Sequence, residues 1–114
     1  MAAADARRGS VTFVNRFTVT GDPDDFEKAF ARVAEFMTVQ PGILGYTLSR
    51  DADDPQRYVN IARWKDAPAL RAAVSRPGFQ EHVAELRTLA ESSSELYVER
   101  QRYLGDDAPG ADRG

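Results

Sequence analysis

Two runs, Ile43-Leu-Gly-Tyr-Thr-Leu-Ser-Arg50 and Arg57-Tyr-Val-Asn-Ile-Ala-Arg-Trp64, flank the turn-rich segment Asp51-Ala-Asp-Asp-Pro-Gln56. The runs have strand character and the segment between them reverses the chain, so together they read as a β-hairpin. What stands on either side decides the fold. Upstream, Val11-Thr-Phe-Val-Asn-Arg-Phe-Thr-Val19 reads as a strand with Val11, Phe13, Asn15, Phe17 and Val19 on one face. Gly21-Asp22-Pro23 then predicts a helix start, with Asp22 as cap and Pro23 at the first helical position, where its missing N–H costs nothing. Phe26, Phe30, Val33 and Met37, flanked by Ala29, Ala34 and Phe36, recur at helical spacing until Pro41-Gly42 ends the helix.

Downstream of the hairpin, Asp66 caps a short helix through Val74, Pro77 and Gly78 interrupt, and a second helix runs from Phe79 to Ala90. Ser92-Ser-Ser94 reads as a polar turn before a last strand from Glu95 to Tyr103. The order β-α-β-β-α-β predicts an α+β, ferredoxin-like domain: one antiparallel sheet with its helices on one face. That leaves the other face bare. Val59 and Ile61 alternate with Tyr58, Asn60, Ala62 and Trp64, and Leu96 and Val98 alternate with Tyr97, so both sheet faces are partly apolar. A homodimer that pairs the bare faces, forming a dimeric α+β barrel, would hide Val59, Ile61, Leu96 and Val98 from water.

Length and composition agree with a single small domain. The chain has 114 residues, and its expected division is a flexible tail over 1–10, the domain over 11–104 and a second polar, glycine-rich tail over 105–114. A domain this small buries a modest share of its surface, which also favours pairing. The net charge of -3 arises from interspersed acids and bases; with no basic stripe to neutralise phosphates, nucleic acid is not an expected partner. No apolar run is long enough to span a bilayer, and Met1–Ser10 lacks a signal-peptide core, so no membrane role and a cytoplasmic location are expected. There is no cysteine and only one histidine, His82. Thiolate metal sites, iron–sulfur clusters and a cysteine nucleophile are thereby excluded, and His82 could not build a metal site alone. No metal is expected, and no phosphate-binding or dinucleotide motif occurs.

What remains is a constellation on the strands. Asn60 and Trp64 are four residues apart on one strand and so share a face, with Tyr58 beside them. An asparagine in mid-strand works against β propensity, and burying its amide without a partner costs about 1–3 kcal/mol. Asn15 poses the same question on the first strand, between Phe13 and Phe17. In this topology the first and third strands are neighbours, so two amides and an indole N–H can converge in an aromatic-lined cavity. The alternative is structural: the two asparagines bond each other or a buried water, and Trp64 is ordinary core.

The segments Val11–Val19, Gln40-Pro-Gly42, Tyr58-Val-Asn-Ile-Ala-Arg-Trp64 and Pro77-Gly-Phe79, with Leu86-Arg87, resemble the antibiotic biosynthesis monooxygenases, and among them the anthrone oxygenases of aromatic polyketide pathways. The resemblance implies oxidation of an anthrone-type polyketide to an anthraquinone by molecular oxygen as co-substrate, with no other cofactor. It assigns substrate and oxygen handling to Asn15, Asn60 and Trp64. It also assigns substrate binding to Arg87, with Tyr58, Phe13 and Phe17 as pocket walls. The chain itself puts Arg87 at the edge of the apolar helix face, where it could equally be solvated or paired with Glu91. The proton acceptor is not legible; a bound water or the substrate's own phenolate could serve. Two other functions stay open at this point. A haem-degrading monooxygenase of the same fold would use Asn15, Trp64 and His82 as iron ligand, and a non-catalytic or isomerase-like member of the fold would use none of this chemistry.

Overall fold

The computed structural model describes residues 10–105. The expected tails, 1–10 and 105–114, lie outside that range except for Ser10 and Gly105. Strand β1 (Val11–Val19) leads to helix α1 (Pro23–Met37), the hairpin β2 (Ile43–Arg50) and β3 (Arg57–Trp64), helices α2 (Ala67–Val74) and α3 (Phe79–Leu89), and strand β4 (Ala90–Val98). The sheet order is β2-β3-β1-β4 and every pairing is antiparallel. This is the ferredoxin-like α+β arrangement read from the sequence.

Local chemistry explains the boundaries. The Asp22 carboxylate accepts from the backbone N–H groups of Asp24 and Asp25, at 2.7 and 3.3 Å, and Pro23 follows at the first helical position. Asp66 caps α2 in the same way, accepting from the Ala69 N–H at 2.8 Å. Gly42, with φ +94°, joins α1 to β2. A Cβ there would stand 2.6 Å from that of Ala69, so the position excludes any larger residue. The Gly42 carbonyl accepts from the Lys65 N–H and so ties the start of β2 to the end of β3.

The last strand departs from expectation. It begins at Ala90 rather than Glu95 and ends at Val98 rather than Tyr103, and Ser92-Ser-Ser94 lies within it, not in a turn. Serine has weak strand character, but nine consecutive residues of β4 pair with β1, from Val19↔Ala90 to Val11↔Val98. The ladder on a formed neighbour overrides local preference. The same register corrects the face assignment: Leu96 lies opposite Phe13 and Val98 opposite Val11, so both stand on the helix side of the sheet. The bare face instead carries Val14, Val59, Ile61 and Tyr97.

Beneath the helices the core forms two clusters. One gathers Phe17, Phe26, Phe30, Val33 and Tyr58 with Val83 and Leu86 between α1, α3 and the sheet; the other gathers Val11, Ala62 and Trp64 under Leu70 and Ala73 of α2. The rings of Phe17, Phe26, Phe30 and Tyr58 meet edge-on or tilted, with centroids 4.8–6.2 Å apart. Between the two clusters lies the row of the sheet in which Asn15 and Asn60 face each other.

Candidate active site

A cavity of about 110 Å³ opens where the two clusters part. A single water needs only about 10–15 Å³, so the space suits something larger. Its floor is the sheet, with Phe13, Asn15 and Phe17 from β1 and Asn60, Ala62 and Trp64 from β3. Its roof is apolar: Phe30, Val33 and Met37 of α1, Leu70 and Val74 of α2, and Phe79, Val83 and Leu86 of α3.

Three polar groups turned away from solvent interrupt this apolar lining. Asn15 and Asn60 are directly opposed on β1 and β3, and Trp64 follows Asn60 on the same face. Trp64 is 1% exposed. Asn15 Oδ1, Asn60 Oδ1 and Trp64 Nε1 are all buried and all without a hydrogen-bond partner. The two amides therefore do not satisfy each other through those oxygens. Leaving each such atom unpaired costs about 1–3 kcal/mol, a penalty that a purely structural core would remove by substitution with apolar residues. A half-turn of either amide presents its NH2 in place of its oxygen, so each asparagine can donate or accept toward the cavity.

The other residues expected at the site divide. Phe13 and Phe17 line the cavity. Tyr58 does not: its buried ring packs on Phe26, and its hydroxyl donates to Glu27 Oε2 of α1 at 2.6 Å. Burial foremost, then the bond to Glu27, push the Tyr58 phenol above its ordinary value, with Arg50 opposing. Arg87 is exposed on α3 and donates to Gln80 Oε1 at 2.7 Å, away from the cavity and from Glu91. Polar neighbours one turn or two along α3 capture it more readily than the apolar face beneath.

His82 also stands outside the cavity. It is exposed and stacks on Phe36 at a centroid distance of 4.5 Å, while its Nδ1–H donates to the Gly78 carbonyl at 2.6 Å. An iron ligand for a haem seated against Asn15 and Trp64 would have to come from elsewhere, and no group of three or more potential metal ligands occurs among the described residues. No helix among them is long and apolar enough to cross a membrane.

Sequence reasoning missed Tyr46. Pairing of β2 with β3 is irregular between Ile43 and Gly45: Ile43 lies opposite Trp64, Gly45 opposite Arg63 and Tyr46 opposite Ala62. The extra residue, Leu44, is a bulge, so Ile43 and Tyr46 share the cavity face although they are three apart. Simple alternation puts them on opposite faces.

Residues 10–85 match the family described as antibiotic biosynthesis monooxygenase. The chain is 50% identical over 102 residues to the deoxynogalonate monooxygenase of Streptomyces nogalater, an alignment covering 89% of this chain and 86% of that protein. Its fold is similar to the crystal structure of SnoaB, a cofactor-independent oxygenase from Streptomyces nogalater, with TM-score 0.80 and 49% identity over 82% of this chain and 96% of that one. A conserved protein of Methanosarcina mazei Go1 has the same fold at 17% identity, with TM-score 0.73 and coverage of 85% and 99%. With a match over most of its length, a half-identical relative and a shared fold, the chain belongs to the antibiotic biosynthesis monooxygenase family.

Proposed function

We propose that the protein is a cofactor-independent oxygenase that converts the methylene of an anthrone-type aromatic polyketide to the quinone carbonyl with molecular oxygen. The observation that carries this reading is the trio of unpartnered buried polar atoms, on Asn15, Asn60 and Trp64, in a cavity lined mostly by apolar side chains. The half-identical relative, named a deoxynogalonate monooxygenase, and the oxygenase character of SnoaB support it.

The chemistry needs little more than such a cavity. An anthrone methylene lies between two aryl rings and is conjugated to a carbonyl, so loss of one proton leaves a delocalised enolate. The enolate passes one electron to oxygen, the two radicals combine to a carbon-bound peroxide, and loss of water gives the quinone. In sum, CH2 and O2 become C=O and H2O. The enolate and the peroxide are anionic, and fixed donors in a site with little water favour both. The Trp64 N–H and the amides of Asn15 and Asn60 supply those donors, while Phe13, Phe17 and Phe30 offer flat apolar walls to a polycyclic substrate.

The active form in this reading is a homodimer joined through the bare sheet face, on the evidence of Val14, Val59, Ile61 and Tyr97 there. The test of function is simple. Chelator-treated protein mixed with dithranol in air should generate quinone absorbance well above the buffer rate, and in the absence of oxygen it should not. A rate equal to that of buffer would refute the proposal.

A further inference from the structure

We infer that Tyr46 is the proton relay of this site, carrying the substrate's methylene proton from the cavity to solvent; the inference rests on the oxygenase reading. Among the described residues that line the cavity, Tyr46 is the only one with a titratable side chain. It is also the only one of them that is well exposed, at 43%, while the others are buried or half-buried. These two properties meet in one residue, and the reaction requires them together. Enolate formation releases a proton inside an apolar space, where neither an amide nor an indole accepts it, and that proton must leave before electron transfer becomes favourable.

The register puts Tyr46 next to the polar row of the cavity floor. Tyr46 lies opposite Ala62, and Asn60 and Trp64 stand two residues to either side of Ala62 on the same face. Such diagonal neighbours on adjacent strands are about 7–8 Å apart at the backbone, within the reach of an aromatic side chain. The methyl group of Ala62 leaves the space between them open. The Leu44 bulge turns Tyr46 inward, and its ring rests on Phe30 with centroids 6.0 Å apart. In the proposal, a substrate bound to Asn60 and Trp64 shares the cavity with the Tyr46 ring and reaches its phenol.

In the step itself, the Tyr46 oxygen takes the proton of the substrate carbon while its own proton passes to a water at the mouth. The electron pair of the C–H bond remains on the substrate as the enolate, and the tyrosine ends as it began.

The test compares wild type with Tyr46→Phe on two anthrones, one un-ionised at neutral pH and one whose substituents make it ionise there. Phenylalanine retains the ring against Phe30, so an unchanged melting temperature is expected. Positioned proton transfer is worth about 100-fold or more. Accordingly kcat of Tyr46→Phe should fall about 100-fold on the un-ionised anthrone, with little change in KM, and stay within a few-fold of wild type on the ionised one. The solvent deuterium isotope effect on kcat should also shrink in the variant. Equal losses on both anthrones, or no loss on either, would overturn the relay while leaving the oxygenase reading intact. A wild-type protein that oxidises neither anthrone would overturn both.

Discussion

At the scale of single residues, the strongest feature is polarity where the core should have none. Asn15 and Asn60 occupy the centre of the two central strands, and their amide oxygens, like the Trp64 N–H, find no partner. Removing one preorganised donor from such a site commonly costs about 100- to 1000-fold in rate. Asn60→Ala is therefore expected to lower kcat by that order, and to cost less stability than a core truncation because it deletes an unsatisfied group. Trp64→Phe keeps most of the packing and deletes only the N–H, so turnover should fall while the melting temperature shifts by a few degrees at most. His82→Ala, on the outer face of α3, should leave turnover near wild type. Rates and thermal melts of the three variants on one anthrone check these outcomes together; parallel losses of activity and stability in Trp64→Phe would mark it as ordinary core.

Among the elements, β3 and α1 are joined by Tyr58 and Glu27, not by a substrate. Tyr58→Phe should cost about 1 kcal/mol at neutral pH, the worth of one hydrogen bond, and leave kcat unchanged. The sign of its pH dependence follows from the raised pKa of the phenol. The fold favours the neutral form, so the contribution is fully present below the ordinary value near 10 and is lost as pH rises through the folded value. The stability gap between wild type and Tyr58→Phe, measured by denaturant titration, should therefore close in strong alkali. β1, α1, the hairpin and α2 were legible in the sequence because alternation, Asp caps and Pro/Gly punctuation agreed there. Two things were hidden. Ser92-Ser-Ser94 carries turn residues into a strand that only its ladder with β1 explains, and the bulge at Leu44 breaks the alternation that would have revealed Tyr46. Arg87 was placed on an apolar helix by its neighbour Leu86, but a long side chain at the edge of a face finds the nearest polar partner, here Gln80.

For the whole molecule, the proposed dimer rests on the bare sheet face. Ile61 is 43% exposed and Tyr97 45%, with Val14 and Val59 alongside, and the Arg16–Glu95 pair at 2.8 Å lies on the same face. Sedimentation at micromolar concentration should give twice the 12.6 kDa chain mass. Ile61→Asp, which puts a charge at the middle of that face, should shift the distribution toward monomer. A wild-type monomer at all concentrations would contradict the expectation of a dimeric barrel. In the proposed dimer the two sides of the sheet have separate tasks: one pairs protomers, and the other, under the helices, holds a cavity with three buried unsatisfied polar atoms on its floor. The central claim is that this cavity inserts an atom of molecular oxygen into an anthrone unaided by a metal or an organic cofactor. The most direct measurement is mass spectrometry of the quinone formed by chelator-treated protein under heavy-isotope oxygen gas. The account predicts one labelled oxygen per quinone, at the former methylene carbon, with none taken from labelled water; label arriving from water, or turnover only after metal or flavin is added, would contradict it.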